Sequence, residues 1–329
     1  MTVALLAVSF VVLLAGAYIF TNAVEWAGVR LNLGHGAVGS VLAAVATAMP
    51  ESLIPVVAII SGEQTGEIAI GAIIGAPFLL GTLAMAIIGV AAVGFRGRRG
   101  RNHLDVDRRS SSRDLGFFLV FFTLAVAFGL IESKVIHIIV AIALVAAYGV
   151  YLWRTIAAQR GAGGEGHPGS LYFDPTKGDP PRNLQIVAQI VVGLAMIVGG
   201  AQLFVTEVES LAHGLGIAAL VLALVLAPLA SELPEKLNSV LWVREAKDTL
   251  ALGNITGAMV YQSTLPVAVG LAFTPWQLTG PAIAAAGAAL IGGALAVAVV
   301  LRGGRLRAPY IGTWFILYVG AVAFILIVQ

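Results

Sequence analysis

The chain has 329 residues, of which 59% are hydrophobic and only 11% are charged, and its mean hydropathy is +0.96. Because soluble domains carry roughly 25% charged residues, this composition indicates an integral membrane protein and excludes a large soluble domain. Cysteine is absent, which excludes disulfides, thiol catalysis and thiolate metal sites. The formal net charge of +2 says less than the distribution of the charges along the chain.

Hydrophobic runs follow one another along the whole chain. A membrane-spanning helix needs about 20 mostly apolar residues. Ten runs of this kind are predicted, at residues 3–24, 36–60, 67–93, 115–131, 135–153, 184–205, 216–242, 250–273, 278–301 and 308–328. The sequence therefore predicts an all-α membrane protein with ten transmembrane helices and short connections.

The basic residues predict how these helices are oriented. The loops after the odd-numbered runs hold 17 of the 19 lysine and arginine residues. Under the positive-inside rule these loops are cytoplasmic, so both termini are expected outside. Of the two remaining residues, Lys134 follows an even-numbered run and Lys236 lies within the seventh run. Arginine far outnumbers lysine in this compact chain, which is associated with a prokaryotic plasma membrane, the inner membrane.

Two Pro-Glu pairs interrupt hydrophobic runs, one in each half of the chain. Proline breaks the helical hydrogen-bond ladder, and a carboxylate in hydrocarbon costs at least ~2.5 kcal/mol by insertion scales. Each pair is followed by two glycines at small-xxx-small spacing, which predicts close helix packing. The prolines are 184 residues apart and the first glycines 182 apart, which indicates an internal repeat. These elements are Pro50-Glu51, Gly71/Gly75, Pro234-Glu235 and Gly253/Gly257.

The repeat is predicted to be inverted. Five runs per half is an odd number, so the second half starts on the opposite side of the membrane from the first. Inverted repeats whose interrupted helices meet at the midplane mark secondary transporters. We predict a first five-helix repeat at residues 1–158, a cytoplasmic linker at 159–183 and a second five-helix repeat at 184–329.

Around the Pro-Glu pairs the sequence resembles the calcium/cation antiporter superfamily, which includes the sodium/calcium exchangers. That family carries two alpha-repeats, which read roughly Gly-Thr-Ser-Leu-Pro-Glu on one helix and Gly-Asn-x-x-Gly-Ser-Asn on the next. The matching motifs lie at about 44–81 and 225–263, and read Ala46-Thr47-Ala48-Met49-Pro50-Glu51 with Gly71-Ala72-Ile73-Ile74-Gly75, and Ala230-Ser231-Glu232-Leu233-Pro234-Glu235 with Gly253-Asn254-Ile255-Thr256-Gly257. The resemblance implies a sodium/calcium exchanger-like fold and antiport of calcium, or another hard cation, against sodium or protons.

The motifs depart from the family where the ion would bind. Exchangers that carry calcium place Asn or Asp at the positions held here by Pro77 and Met259, and a family serine is replaced by Ala48 and by Glu232. The lost polar residues leave open a non-transporting sensor or scaffold with the exchanger fold. The Glu232–Lys236 spacing leaves open a proton-coupled antiporter of a different solute.

The resemblance implies a calcium-binding centre built on one glutamate and one hydroxyl residue per repeat. Each hydroxyl residue lies four residues before its glutamate, on the same helix face. Each proline also frees the carbonyl one turn back, and a free carbonyl in hydrocarbon must line a cavity. Such oxygens suit a hard cation. The candidate ligands are Glu51, Thr47 and Ala46 in the first repeat, and Glu235, Ser231 and Ala230 in the second.

Two further residues are candidate ligands. Glu232 lies three residues before Glu235, as a third acid would, and four before Lys236, a spacing that suits an ion pair. Both interpretations stay open at this point. Asn254 and Gln262 form one polar stripe of the eighth run, and whether each faces the ion path stays open as well; Asn254 is the candidate ligand of the two.

The chemistry of such a centre suggests exchange. Two neighbouring carboxylates without a cation repel each other, so one should take a proton, which couples cation binding to proton or sodium exchange. No cofactor, catalytic site or nucleic-acid partner is expected. The expected partners are the lipid bilayer and small inorganic cations.

Overall fold

The structure is a computed structural model, described here for residues 1–30, 48–62, 65–95, 104–158, 170–174, 181–302, 305–306 and 308–328. Nearly all of these residues are helical. The helices are α1 (Thr2–Arg30), α2 (Met49–Ser61), α3 (Gly66–Gly94), α4 (Arg108–Gly129), α5 (Lys134–Ala158), α6 (Asn183–Leu215), α7 (Ala219–Arg244), α8 (Asp248–Gln262), α9 (Leu265–Phe273), α10 (Gly280–Leu301) and α11 (Ala308–Val328). Two short strands, β1 (Leu104–Asp105) and β2 (Arg305–Leu306), pair in antiparallel fashion.

Eight helical segments of the described chain are long and apolar enough to cross a membrane, with α8 and α9 counted as one segment. Helix α2 and the first part of α7 are shorter apolar helices. The predicted all-helical membrane architecture is therefore confirmed, whereas the number of ten spans stays a prediction. Part of the second predicted run, at residues 36–60, lies outside the described residues.

Helix α4 begins earlier than its hydrophobic run, at Arg108 rather than at residue 115. The Asp107 side chain accepts hydrogen bonds from the backbone N–H groups of Arg109 and Ser110. An N-cap of this kind satisfies donors that the first helical turn leaves free. The cap starts the helix in polar sequence, which hydrophobicity alone does not indicate.

The eighth predicted run, 250–273, is divided into two helices. Helix α8 ends at Gln262, and α9 begins at Leu265. Pro266 lacks a backbone N–H and would interrupt the hydrogen-bond ladder of a continuous helix. It stands instead at the start of α9, where the first turn needs no such bond. The hydroxyls of Ser263 and Thr264 at the break donate to the carbonyl of Val260, at 3.0 and 2.8 Å.

Helix α3 is enclosed by its neighbours and packs along α7. A Cβ atom on Gly71 would lie against the carbonyl oxygen of Leu220, and one on Gly75 against that of Leu224. The packing role predicted for this glycine pair is confirmed, because a side chain at either position would force the helices apart. For Gly253 and Gly257 the same prediction is wrong among the described residues, since no atom of these lies within 4 Å of a Cβ built at either position. Helix α3 also contains a π-helical turn at Leu80–Ala84.

The loops that follow odd-numbered runs meet on one face of the bundle. Strand β1, which follows α3, pairs with β2, which follows α10. The backbone N–H of Asp105 donates to Oδ2 of Asp248, at the start of α8 (2.9 Å). At the end of α1, Arg30 donates to the carbonyl oxygen of Pro181, just before α6 (2.6 Å).

On the opposite face, the start of α5 contacts the end of α9. The Nζ atom of Lys134 donates to the carbonyl oxygens of Leu271 (3.1 Å) and Thr274 (2.9 Å). These carbonyls are at the C-terminal end of α9, where helical carbonyls have no partner within the helix. The predicted alternation of loops between two faces therefore agrees with these contacts.

Candidate functional site

Glu51 lies in the first turn of α2 and is buried, with 6% of its surface exposed. The helix begins at Met49, so Pro50 lies in the first turn, where backbone N–H groups make no hydrogen bond within the helix and a proline costs none. The first turn of a helix also carries the positive end of its dipole, which favours a carboxylate. Ala46 and Thr47, two predicted ligands, lie outside the described residues.

Helix α7 continues without a break through Pro234. Ser231 is buried and donates its hydroxyl hydrogen to the carbonyl of Ala227 (3.1 Å), while Ala230 is 2% exposed. A hydroxyl that donates keeps its lone pairs for another partner. Glu235 lies on this helix, and its side chain is outside the described part of the structure.

Glu232 and Lys236 form a buried ion pair on α7. The Lys236 Nζ lies 3.1 Å from Oε2 of Glu232, and their side chains are 0% and 2% exposed. The other carboxylate oxygen, Oε1, accepts a hydrogen bond from Nε2 of Gln262 on α8 (3.0 Å). Of the two interpretations that the sequence left open for Glu232, this geometry favours the ion pair.

Tyr261 brings the helix of Glu51 together with the helix of Glu232. Its phenol shares a hydrogen bond with the hydroxyl of Ser52 on α2. The same phenol is within electrostatic range of the carboxylates of both Glu51 and Glu232. Helices α2, α7 and α8 therefore meet at one polar centre inside the bundle.

Sequence reasoning missed Ser52 and Tyr261 as members of this centre. Their positions carried a signal, because Ser52 directly follows Glu51 and Tyr261 directly precedes Gln262. An amphipathic tyrosine that is partly buried usually needs a partner for its hydroxyl.

Asn254 lies apart from this centre. Its Nδ2 atom donates to the hydroxyl of Ser239, near the end of α7 (3.0 Å). Asn254 and Gln262 are separated by roughly 12 Å along α8, at a rise of about 1.5 Å per residue. The structure therefore does not bring Asn254 to Glu232, and its role as a ligand stays a prediction.

A groove of about 680 Å³ reaches the centre from the side of the bundle, between α2, α5 and α9. Its walls are apolar apart from the hydroxyls of Ser52 and Tyr261. Among the described side chains, no group of three or more His, Asp or Glu residues is arranged to hold a metal ion.

Comparison with known proteins gives the family. The model of the family described as sodium/calcium exchanger protein matches residues 1–157 and 185–327. The chain therefore belongs to the sodium/calcium exchanger family. It is a multi-pass membrane protein of a family of cation antiporters.

One curated relative is the putative antiporter CaxA of Alkalimonas amylolytica. The two are 28% identical over 129 residues, which is 39% of this chain and 40% of that protein. The match thus spans less than half the length of either sequence.

Three solved structures share the fold. The H+/Ca2+ exchanger CAX has a TM-score of 0.75 at 17% identity, covering 99% of this chain and 86% of that chain. Native YfkE has a TM-score of 0.73 at 14% identity, covering 99% and 93%. The sodium-calcium exchanger NCX_Mj, soaked with 10 mM Na+ and zero Ca2+, has a TM-score of 0.60 at 20% identity, covering 98% and 99%.

Proposed function

We propose that the protein is a secondary active antiporter that exchanges calcium, or another hard cation, for sodium or protons. The transport site is built on Glu51 and Glu235 at mid-membrane depth. The observation that carries the proposal is the burial of the Glu51 carboxylate at a polar centre of three helices. An acid inside a membrane is functional by default, because keeping it there is costly.

The centre can supply the oxygen ligands that a hard cation requires. Besides the two glutamates, Ser231 has a hydroxyl oxygen with free lone pairs, and Ala230 has a carbonyl that Pro234 cannot engage. Their equivalents in the first repeat are Thr47 and Ala46. Asn254 and Glu232 belong to the proposed ligand set as residues that would have to change partner before they bind an ion.

The proposed architecture is ten spans in two inverted repeats, at residues 1–158 and 184–329, joined by a cytoplasmic linker at 159–183. The family model matches once on each side of this linker. Helix contacts also occur in corresponding pairs, since α10 packs on α3 as α4 packs on α8, and α11 packs on α3 as α5 packs on α9.

Two apolar grooves support the same repeat. The groove between α2, α5 and α9 has a counterpart of about 500 Å³ between α3, α7 and α11. Five residues of one correspond to five of the other at a separation of 182, the offset of the glycines, and Val56 corresponds to Val240 at 184, the offset of the prolines. The five pairs are Leu83/Leu265, Ala86/Ala268, Ile87/Val269, Val90/Ala272 and Ala91/Phe273.

The proposed location is the plasma membrane, the inner membrane of a prokaryote, with both termini outside. Its support is the concentration of basic residues in loops that lie on one face of the bundle.

The test is cation flux in proteoliposomes with calcium, sodium and pH gradients imposed in turn. Glu51→Gln and Glu235→Gln should each abolish calcium-coupled flux. Glu67→Gln is the matched control, since Glu67 is an exposed acid in the first turn of α3, and its flux should equal that of the wild type. Retention of wild-type flux by both site variants would refute the proposal.

A second candidate is a membrane sensor or scaffold that keeps the fold without transport. It is favoured by the burial of Pro77 and Met259, which offer no side-chain oxygen where the family has a ligand. This candidate predicts that calcium does not raise the melting temperature of the purified protein. A dose-dependent calcium shift would reject it.

The third candidate, a proton-coupled antiporter of a different solute, is favoured by the buried ammonium of Lys236. Flux measured over a series of monovalent and divalent cations separates it from calcium exchange.

A further inference from the structure

We propose that the ammonium of Lys236 is a resident cation that occupies the position a sodium ion would take beside Glu232, so that the centre accepts one divalent cation and no sodium ion there. This inference rests on the proposed function in one respect, which is that the centre between α2, α7 and α8 is the ion site, and of the two counter-ions proposed there it selects the proton. It adds a residue that determines ion selectivity.

The geometry shows that Glu232 is already occupied. One carboxylate oxygen faces the Lys236 ammonium at 3.1 Å, and the other accepts from the Gln262 amide at 3.0 Å. A monovalent ion that bound Glu232 would have to share these oxygens with the ammonium and the amide or displace one of them.

The pair is costly to separate. The lysine side chain is fully buried, and the two charged groups are one turn apart on the same helix. A buried charge separated from its partner is strongly destabilising, so the resting centre keeps the ammonium beside Glu232, and a ligand role for Glu232 requires an ion that compensates this loss. A sodium ion that diffuses in would have to compete for the Glu232 carboxylate with an ammonium that is tethered to the same helix.

Both charges are absent at the equivalent positions of the first repeat. The positions 184 residues before Glu232 and Lys236 are held by Ala48 and Ser52, which are neutral. In the first repeat the Ser52 hydroxyl donates to the carbonyl of Ala48 (2.8 Å), a neutral bond at the same i, i+4 spacing. The charged pair of the second repeat adds no net charge to the centre.

The charges of the centre then match one divalent ion. With their acids ionised, Glu51, Glu235 and Glu232 contribute three negative charges and Lys236 one positive charge, leaving a net charge of −2. One calcium ion neutralises this charge. Without the ammonium the net charge would be −3, and a further monovalent cation would be required.

The experiment compares the response of purified protein to sodium in the presence and absence of the ammonium. Melting temperature is measured in detergent while sodium chloride replaces choline chloride at constant ionic strength. The wild type should show no sodium-specific shift. Lys236→Gln and Lys236→Met, which expose the Glu232 carboxylate to the centre, should gain an upward shift that grows with the logarithm of the sodium concentration, because ligand binding to the folded state raises its stability. Lys236→Arg retains the charge and should respond like the wild type.

Two results would overturn the inference: a concentration-dependent sodium-specific shift in the wild type, or folded Lys236→Gln and Lys236→Met proteins that gain none. If neither variant folds, the wild type decides, and its lack of response to sodium alongside a response to calcium supports the inference.

Calcium flux by the wild type, measured separately, tests the proposed function. A chain that moves no calcium but whose Lys236→Gln variant gains sodium binding would reject the proposed transport and keep the resident ammonium. A wild-type chain that moves calcium and also binds sodium at the centre would support the proposed transport and reject the resident ammonium.

Discussion

Ser52 and Tyr261 share a hydrogen bond between helices whose residues are 209 positions apart in the chain. Ser52 belongs to the helix of the buried acid Glu51, and Tyr261 to the helix whose Gln262 contacts Glu232. This bond joins the first half of the chain to the second at the centre proposed to carry the ion. A change in the separation of α2 and α8 would have to stretch or break it.

Removing either hydroxyl should weaken this connection. We expect Ser52→Ala and Tyr261→Phe each to lower the free energy of unfolding by about 1 kcal/mol, the net value of a hydrogen bond between neutral groups. Ser52→Ala also removes the bond from the Ser52 hydroxyl to the Ala48 carbonyl, so it should lose more than Tyr261→Phe. The double variant should lose little more than Ser52→Ala alone, because both substitutions remove the bond between the two hydroxyls. Thermal unfolding of the four proteins in detergent gives the coupling energy.

Tyr18→Phe is the control for this cycle, since Tyr18 is 57% exposed on α1 and should lose little stability. Additive losses from Ser52→Ala and Tyr261→Phe would show that the two hydroxyls do not act on one another.

Glu232→Gln should be severely destabilising. The substitution leaves the Lys236 ammonium buried without its carboxylate, and breaking a buried pair in this way costs about 3–5 kcal/mol. The double substitution Glu232→Gln with Lys236→Met removes both charges and should recover most of that loss. Equilibrium unfolding of purified proteins measures both values.

The exposed acid Glu132 serves as the control, and Glu132→Gln should change stability very little. If Glu232→Gln were as stable as this control, the Glu232–Lys236 ion pair would not stabilise the buried ammonium as the geometry indicates.

Gly75→Ala should push α3 away from α7. A Cβ at this position meets the backbone of Leu224, which cannot rotate aside as a side chain can. Overpacking of this kind typically costs about 1–3 kcal/mol. Gly149→Ala on the exposed face of α5 is the control, and there the substitution should be neutral or stabilising because alanine favours helix. Melting temperatures of the two variants test the difference, and equal values would contradict the close contact.

Lys134→Met should loosen the C-terminal end of α9. The Lys134 ammonium donates to two carbonyl oxygens there, and a cation at a helix C-terminus contributes about 0.3–1 kcal/mol. Lys247→Met is the matched control, because Lys247 pairs with Glu245 where both side chains are more than half exposed, at 57% and 55%. Hydrogen exchange of the backbone amides of α9 should rise in the first variant and stay unchanged in the second.

Local composition was sufficient for the class of the protein. Hydrophobic runs can be counted without knowing which helices touch, because the bilayer acts on each segment independently and demands the same length of each. The recurrence of Pro-Glu and of paired glycines at offsets of 184 and 182 likewise needed no structure. These features indicated a helical membrane protein with an internal repeat. The resemblance of the repeated motifs to the exchanger superfamily implied the family, and the family match confirmed it.

Helix ends were less predictable. The start of α4 at Arg108 depends on the cap supplied by Asp107, and the break before α9 depends on Pro266 and on hydroxyls that bond back to Val260. These are side-chain contacts of single residues, which an average over a hydrophobic window does not contain.

Only the tertiary structure decided the partners of the polar groups. The spacing of Glu232 and Lys236 allowed either an ion ligand or an ion pair, and the choice depended on Gln262 arriving from another helix. The contact of Ser52 with Tyr261, and the separation of Asn254 from the centre, depend in the same way on how helices distant in sequence pack. The tendency of each run to enter the membrane is a property of its own residues, whereas the burial of a side chain and the atom that it meets are properties of the whole bundle.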